Sequence, residues 1–241
     1  MSAPATIVIR DIESLAEMRE VEQLQREIWG VEDLEVYPAL ALKPQKEVGA
    51  ILIGAFAEGR LVGFVFGFPG ILNGETIIHS DMLGISPAYR SHGLGYLLKR
   101  AQREAAMKLG VNRITWTFDP LQSRNAHLNF SKLGVIADRY YVDYYGVTSS
   151  FLHRFGTDRL WVTWLLNSER VKARMEGNAS ASDLIRAGDL IIEIPREITA
   201  NHEQWRTNTR EAFTSAIDAG YVVEEFLVTG NAGKYVLRKK N

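Results

Sequence analysis

The sequence predicts an α/β protein, of the α+β kind, in which a mixed and mostly antiparallel sheet is flanked by helices. Residues 50–68 form two runs rich in branched and aromatic residues around a short turn. Residues 79–109 pass from a strand pattern through a glycine-containing turn into a helix pattern, and residues 113–119 return to a strand pattern. Two strands joined by such a helical crossover are expected to run parallel.

The chain has 241 residues, of which 46% are hydrophobic and 24% charged, as in an ordinary globular protein. This length fits one large domain or two small ones. We expect a main domain over residues 1–166 and a polar linker over residues 167–182. A β-α-β-β extension over residues 183–241 is expected to pack on the sheet or on a second subunit.

Composition also narrows the function classes. The net charge of −1 gives no general attraction to nucleic acid or to an anionic membrane. The absence of cysteine excludes disulfides, thiolate zinc sites and a covalent acyl-cysteine mechanism. The sequence begins without a signal-peptide pattern and contains no apolar run long enough to span a bilayer. We therefore expect a cytoplasmic protein with no nucleic-acid or membrane partner.

The chain opens with a strand and a helix. Alternation over residues 6–12 predicts the strand, and apolar residues at helical spacing over residues 15–29 predict the helix. Pro38 and Pro44 limit any helix in the following segment to short pieces.

An antiparallel meander follows. The hairpin over residues 50–68 turns at residues 57–59, and a strand over residues 75–85 completes the meander. Gly63 and Gly67 lie on one face of the second strand. Such glycines mark either a close approach to the backbone or simple twisting of the strand.

After a turn at Pro87 the chain enters its central helix, which Gly110 is expected to end in a left-handed conformation. Its predicted apolar face consists of Leu94, Leu97, Leu98, Ala101, Ala105 and Leu109.

The turn before this helix has the composition of an anion-binding site. The first backbone N–H groups of a helix have no partner within the helix and lie at the positive end of its dipole. Gly93 and Gly95 let a phosphate approach the backbone closely, and Arg90 adds a cation. The turn therefore suits a phosphorylated ligand, although an ordinary tight turn has the same pattern.

The rest of the chain shows the same two periodicities. Helices are predicted over residues 123–133 and 203–219, and strands over residues 140–145, 158–166, 189–195, 221–230 and 234–241.

The order and spacing of four stretches resemble the GNAT superfamily of acyl-CoA-dependent N-acyltransferases, in a longer form with a C-terminal extension. These stretches are Ile85-Ser86-Pro87, Arg90-x-x-Gly93-x-Gly95, residues 123–126 and residues 130–134. The resemblance covers roughly the first two-thirds of the chain. It implies a GNAT fold, in which the central parallel strands splay apart towards the pantetheine arm of acetyl-CoA or another acyl-CoA.

The resemblance also implies where this acyl-CoA is held, with the diphosphate on the glycine turn. The implied cofactor-binding residues are Leu83, Gly84, Ile85, Arg90, Ser91, His92, Gly93, Leu94, Gly95, Tyr96, Ser123, Asn125 and Phe130.

Two polar residues on the strand before the turn are candidates for the catalytic base. By the strand period of two, His79, Asp81 and Leu83 share one face. The resemblance implies a base or water relay here, and the pKa of histidine lies near neutrality. A structural histidine and a turn-capping aspartate are the alternatives.

The position of the family's usual acid is altered. Phe130 stands where a tyrosine protonates the leaving thiolate in many relatives, and Ser123 stands at the usual asparagine. Phenylalanine has no proton to give. Either no acid is needed, or Ser123, Ser131 or a tyrosine of residues 140–145 supplies the proton, and of these tyrosines we take Tyr144 as the candidate. The histidines outside this region are too scattered for a metal site, and none is predicted.

The sequence favours direct transfer of an acetyl group from acetyl-CoA to the primary amine of a small molecule such as an amino acid. Two alternatives stay open: a non-catalytic acyl-CoA-binding or interaction protein that lost its acid, and a protein N-acetyltransferase. A homodimer is also left open.

Overall fold

A computed structural model describes residues 6–90, 92–146, 153, 155–177 and 185–240. The chain has the predicted α/β fold class, with mixed, mostly antiparallel strands and six α-helices in the described residues. These residues form two compact units, one from residue 6 to 114 and the other from 115 to 240. The splay predicted for the parallel pair stays a prediction.

The first unit begins with the predicted strand and helix and continues into the meander and the central helix. Its elements are β1 (Ile7–Asp11), α1 (Leu15–Trp29), α2 (Ala39–Glu47), β2 (Ile51–Ala57), β3 (Arg60–Leu72), β4 (Glu75–Ile85) and α3 (Leu94–Lys108).

Strands β1 to β4 pair in chain order and are all antiparallel. The β2–β3 hairpin turns at Glu58 and Gly59, whose φ angles are 49° and 81°. The β3–β4 hairpin turns at Asn73 and Gly74, with φ angles of 51° and 80°. Two successive residues with positive φ form the turn that matches the natural twist of paired strands. The predicted meander is confirmed.

The apolar core of this unit lies between the sheet and helices α1 and α2. Each of these elements contributes buried aliphatic or aromatic side chains to one cluster. Its members are Ile12, Met18, Val21, Leu24, Ala39, Leu42, Ala50, Leu52, Phe56, Leu61, Phe64 and Phe66.

Helix α3 packs on the other face of β3 and β4. A Cβ atom on Gly67 would lie 2.8 Å from the Nε2 of Gln102 on α3 and 2.9 Å from the carbonyl oxygen of His79 on β4. One on Gly63 would lie 2.9 Å from Ile85 on β4 and 3.4 Å from Leu98 on α3. Both glycines therefore mark a close approach, which involves α3 and β4 at Gly67 and mainly β4 at Gly63.

The apolar face predicted for α3 is wrong in part. Leu97 and Leu109 are 37% and 55% exposed, whereas two polar side chains are buried. Those two polar side chains form hydrogen bonds with a serine of β4. The buried face of α3 is therefore partly polar and differs from the predicted apolar stripe. The buried residues of α3 are Leu94, Leu98, Lys99, Gln102 and Ala106.

The boundary between the two units falls within the strand that follows α3. Its elements are β5 (Arg113–Phe118), α4 (Ser123–Ala126), a π-helical turn (His127–Leu133), β6 (Ile136–Tyr141), β7 (Arg159–Leu165), α5 (Glu169–Met175), β8 (Leu190–Pro195), α6 (His202–Asp218), β9 (Tyr221–Thr229) and β10 (Ala232–Lys239).

The strand order in this unit is β5-β7-β6-β9-β10-β8. The β-α-β-β order of the tail is the predicted one, and β9 pairs with β6 through Val223 opposite Ala137. Helix α5 lies in the segment expected to be a linker, of which residues 178–182 lie outside the described residues. No helix in the described parts of the chain has both the length and the apolar character needed to cross a membrane.

Aromatic rings fill the core of the second unit around Tyr235. Its ring is fully buried and lies 5.8 Å from Phe130, 5.0 Å from Phe213 and 4.7 Å from Phe226, measured between centroids. Its hydroxyl donates to the carbonyl of Pro120 at 2.6 Å, which satisfies the one polar group of the ring in this core.

The strand predicted over residues 140–145 is wrong in its second half, because β6 ends at Tyr141 and a turn follows. Asp143 in this turn has a φ of 48°, and its N–H donates to the carboxylate of Asp158 at 3.0 Å. The buried carboxylate also accepts from the hydroxyl of Tyr140 at 2.7 Å. Because the N–H of Asp143 bonds to this carboxylate and not to a neighbouring strand, the strand does not continue past Tyr141.

We predict that Gly67→Ala lowers the free energy of unfolding by about 1–3 kcal/mol, because the added methyl overpacks the contacts with α3 and β4. Gly70→Ala on the same strand is the matched control, since its Cβ would meet only Ile77, at 3.9 Å. That control should change stability by less than about 0.5 kcal/mol. Urea unfolding measures both; equal effects would contradict the close approach.

Candidate active site

The candidate site of the first unit lies where β4 ends and α3 begins. Between Ile85 and Leu94 the chain makes a 3-10 turn over Pro87–Tyr89. Ser86 fixes the start of this connection, because its hydroxyl donates to the carboxylate of Glu27 on α1 at 2.6 Å.

Gly93 is the residue that opens the N-terminus of α3. It has a φ of 73° and ψ of 4°, the left-handed conformation that favours glycine, and no side chain among the described residues caps the helix. The first ladder bond runs from the N–H of Leu97 to the carbonyl of Gly93, so the amides of Leu94 and Gly95 precede the ladder. Among the described residues, no atom beyond the two chain neighbours lies within 4 Å of where a Cβ on Gly93 would be. This open space before a helix N-terminus fits a diphosphate.

The exposed side chains of Arg90 and His92 flank this N-terminus. The Nε of Arg90 donates to the carbonyl of Ile85 at 3.3 Å, which holds the guanidinium beside the end of β4. Ser91, predicted to bind the cofactor, lies outside the described residues.

Strand β4 contains a β-bulge in front of this turn. Its register with β3 places Phe66 opposite Met82 and Gly67 opposite Ser80, which leaves Asp81 as the extra residue. A bulge of this kind bends a strand and reverses the facing of the residues beyond it.

The bulge corrects the prediction that His79, Asp81 and Leu83 share one face. Before the bulge, the ring of His79 packs against Phe68 with centroids 5.6 Å apart. After the bulge, Met82 packs against the same apolar core as Phe68. Leu83 therefore faces the opposite side, towards α3, and Asp81 lies at the kink itself.

His79 is half-buried, and its environment favours the neutral imidazole. Burial lowers its pKa from the ordinary value, and the positive charge of Lys99 lowers it further. A neutral imidazole can accept a proton at neutral pH, which is what a general base requires.

Asp81 is open to solvent, yet desolvation by the protein around it raises the pKa of its carboxyl group. Burial therefore shifts the pKa values of the two candidate bases in opposite directions, upward for Asp81 and downward for His79.

A polar network that the sequence analysis missed lies directly behind this strand. The ammonium of Lys99, 2% exposed, donates to the hydroxyl of Ser80 at 2.8 Å and to the Oε1 of Gln102 at 3.0 Å. Ser80 in turn donates to the same Gln102 oxygen at 2.9 Å. Helical periodicity places Lys99 and Gln102 outside the predicted apolar face, so the sequence carried no local signal for this network.

Of the other predicted site residues, Gly84 is buried on β4 and Tyr96 is half-buried on α3, and four belong to the second unit. Ser123 is buried at the start of α4, and Asn125 is exposed. Phe130 is fully buried, with its ring 6.2 Å from that of Phe118. Tyr144 is 39% exposed in the turn after β6.

The second unit also contains a cavity of about 780 Å³ at the start of α6. Arg206, one of its lining residues, is bonded through both terminal nitrogens to Asp119. Arg210, another, is bonded to Asp158. These cations are already neutralised. No group of three or more acidic or histidine side chains that could hold a metal occurs among the described residues.

Comparison with known families matches residues 15–134 to the acetyltransferase (GNAT) family. The matched segment runs from α1 to the end of the π-helical turn. It therefore includes β4, the glycine turn and α3.

Solved structures share the fold at low sequence identity. The ribosomal-protein-S18-alanine N-acetyltransferase from Escherichia coli is 13% identical, with a TM-score of 0.54 over 68% of this chain and 96% of its own. Aminoglycoside 6'-acetyltransferase type Ii is 17% identical, with a TM-score of 0.54 over 67% and 98%. A structure of yncA from Salmonella typhimurium with its cofactor acetyl-CoA is 14% identical, with a TM-score of 0.55 over 68% and 96%.

A direct comparison with curated protein sequences finds no match. The segment matched to the family includes the bulged strand β4 and the glycine that opens helix α3. The protein belongs to the GNAT family of N-acetyltransferases, which catalyse acyl transfer that depends on acetyl-CoA.

Proposed function

We propose that this enzyme transfers an acetyl group from acetyl-CoA to the primary amine of a small molecule such as an amino acid. The observation that supports this most is the N-terminus of α3, where no described side chain caps the helix and the Cβ position of Gly93 is free of described neighbours. The diphosphate of CoA carries the charge that such a terminus attracts.

In this proposal the diphosphate lies over the backbone from residue 91 to 96. The amides of Leu94 and Gly95 donate to its oxygens, and the exposed guanidinium of Arg90 adds a charge-assisted contact. Leu83 to Ile85, at the end of β4, follow the pantetheine arm.

His79 acts as the general base. The lone pair of the amine nitrogen attacks the thioester carbonyl carbon, forming the C–N bond, and the imidazole takes a proton from that nitrogen. The C–S bond then breaks, and its electron pair leaves with sulfur as the CoA thiolate. Burial favours the neutral imidazole that the first step needs.

The CoA thiolate needs little assistance from a general acid in order to leave. Thiols have an ordinary pKa of about 8.5, so a thiolate is an acceptable leaving group near neutrality. The buried Phe130 cannot supply a proton, and an active enzyme therefore needs little help from an acid. The roles of Tyr144, Ser123 and Asn125 stay predictions.

We predict release of free CoA when the protein is incubated with acetyl-CoA and a panel of small primary amines that includes amino acids. The same panel should contain peptides with free N-termini, because a protein N-acetyltransferase would prefer these. Thiol detection gives the rate, with heat-denatured protein as the blank. No release with any amine or peptide would favour the non-catalytic alternative.

We predict that Gly93→Val raises the Kd for acetyl-CoA by at least about tenfold, or about 1.4 kcal/mol, measured by calorimetry. The added side chain would occupy the space that the diphosphate needs. Gly110→Val is the matched control at the other end of α3, since Gly110 has a φ of 75° and also has nothing within 4 Å of its Cβ position. Both variants carry the same backbone strain, so equal losses of affinity would contradict the proposed site.

We predict that kcat/KM falls as the pH drops through the pKa of His79, which lies below the ordinary value of 6.5 because burial disfavours the imidazolium. His79→Gln should remove this acidic limb and lower kcat/KM by about 100-fold or more. Asp81→Asn is the companion variant. Loss of the limb in Asp81→Asn, with the limb intact in His79→Gln, would assign the base to Asp81 instead.

A further inference from the structure

An ammonium group is buried behind the strand that carries the proposed base. Lys99 lies on the face of α3 that packs on the sheet, among Leu94, Leu98 and Ala106, and it is 2% exposed. Burying an ammonium costs more free energy than burying an aliphatic side chain of similar size, so apolar packing alone does not explain a lysine here.

The ammonium is held in one place by two oxygen atoms. Ser80 and Gln102 accept from its Nζ at 2.8 and 3.0 Å, and they are bonded to each other at 2.9 Å. The three bonds form a closed triangle that joins α3 to β4. A triangle of this kind restrains the position of the lysine far more than a single hydrogen bond.

The triangle meets β4 next to the proposed base. Ser80 directly follows His79 and directly precedes the bulged residue Asp81. The side chains of Ser80 and His79 point to opposite faces of the strand, so the ammonium lies behind the strand and the imidazole in front of it. Helix α3 is also the helix whose N-terminus we assign to acetyl-CoA.

We propose that Lys99 is a positioning residue, whose buried Nζ, anchored by Ser80 and Gln102, holds strand β4 in register with α3 beside the proposed base His79. This proposal rests on His79 as the base. It adds a residue that touches neither substrate nor the reacting atoms and acts through its charge and its anchor.

Other charged groups among the described residues of the first unit bond near the ends of β4. Glu27 on α1 bonds to Ser86 beyond the end of the strand, and Arg113 pairs with Glu75 at its start, at 2.9 Å. Asp81 is exposed at the bulge. Burial lowers the pKa of His79 most, and the positive charge of Lys99 lowers it further. Because burial also lowers the pKa of Lys99 well below its ordinary value, this charge acts on His79 only while Lys99 is protonated.

The direct test is an NMR titration of the His79 imidazole in the full chain without any ligand. Lys99→Met removes the charge and keeps the length of the side chain, and Lys108→Met, at the exposed end of the same helix, is the matched control. We expect the His79 titration midpoint to move to higher pH in Lys99→Met and to stay in place in Lys108→Met. An unchanged midpoint in Lys99→Met would overturn the proposal.

This readout does not depend on turnover, so it separates the proposal from the proposed function. If His79 shifts but His79→Gln keeps full activity, the electrostatic coupling stands and the assignment of the base fails. In the active enzyme, the acidic limb of kcat/KM should move to higher pH in Lys99→Met, with the Kd for acetyl-CoA changed less than about threefold, since Lys99 touches no cofactor.

A second variant covers failure of Lys99→Met to fold. Ser80→Ala keeps the lysine and removes its anchor on the strand. We expect the His79 midpoint to move in the same direction in Ser80→Ala, because the ammonium is then free to withdraw from the strand. A midpoint identical to that of the unchanged protein would overturn the proposal by itself.

Discussion

The close approach of helix α3 to strands β3 and β4 is the constraint on which the candidate site depends. Gly67 provides the space, since a methyl group there would lie 2.8 Å from Gln102 on α3 and 2.9 Å from the carbonyl oxygen of His79 on β4. The polar triangle of Lys99, Ser80 and Gln102 then fixes the helix against the strand at the same level. Packing alone would allow small shifts of the helix, whereas three mutual hydrogen bonds specify one arrangement.

The close approach of α3 to the sheet places two proposed functional features, a base and an anion site, on either side of the connection between β4 and α3. The bulge at Asp81 turns the strand so that His79 lies against Phe68 and the residues beyond it face the other way. Past the end of the strand, Gly93 takes a left-handed conformation, and no described side chain caps the N-terminus of α3. The proposed base and the proposed anion site are therefore held by the same strand–helix pair.

Local rules in the sequence predicted much of this fold. The turn residues at 58–59, the strand over 75–85 and the glycine before α3 obey steric rules that act over a few residues, and all were found in advance. The bulge was not, because an extra residue in one strand depends on the register of its partner. The buried Lys99 was missed for a related reason: helical periodicity assigns it to the polar side, and only the facing Ser80 makes burial tolerable. The strand predicted through residues 142–145 failed because distant Asp158 captures the backbone of Asp143.

The proposed binding of acetyl-CoA, with its diphosphate on the amides at the start of α3, can be tested by a crystal structure of the protein with CoA. Diphosphate oxygens should then lie within hydrogen-bond distance, about 2.7–3.2 Å, of the backbone nitrogens of Leu94 and Gly95. A diphosphate bound elsewhere, for example against the arginines at the start of α6, would contradict it.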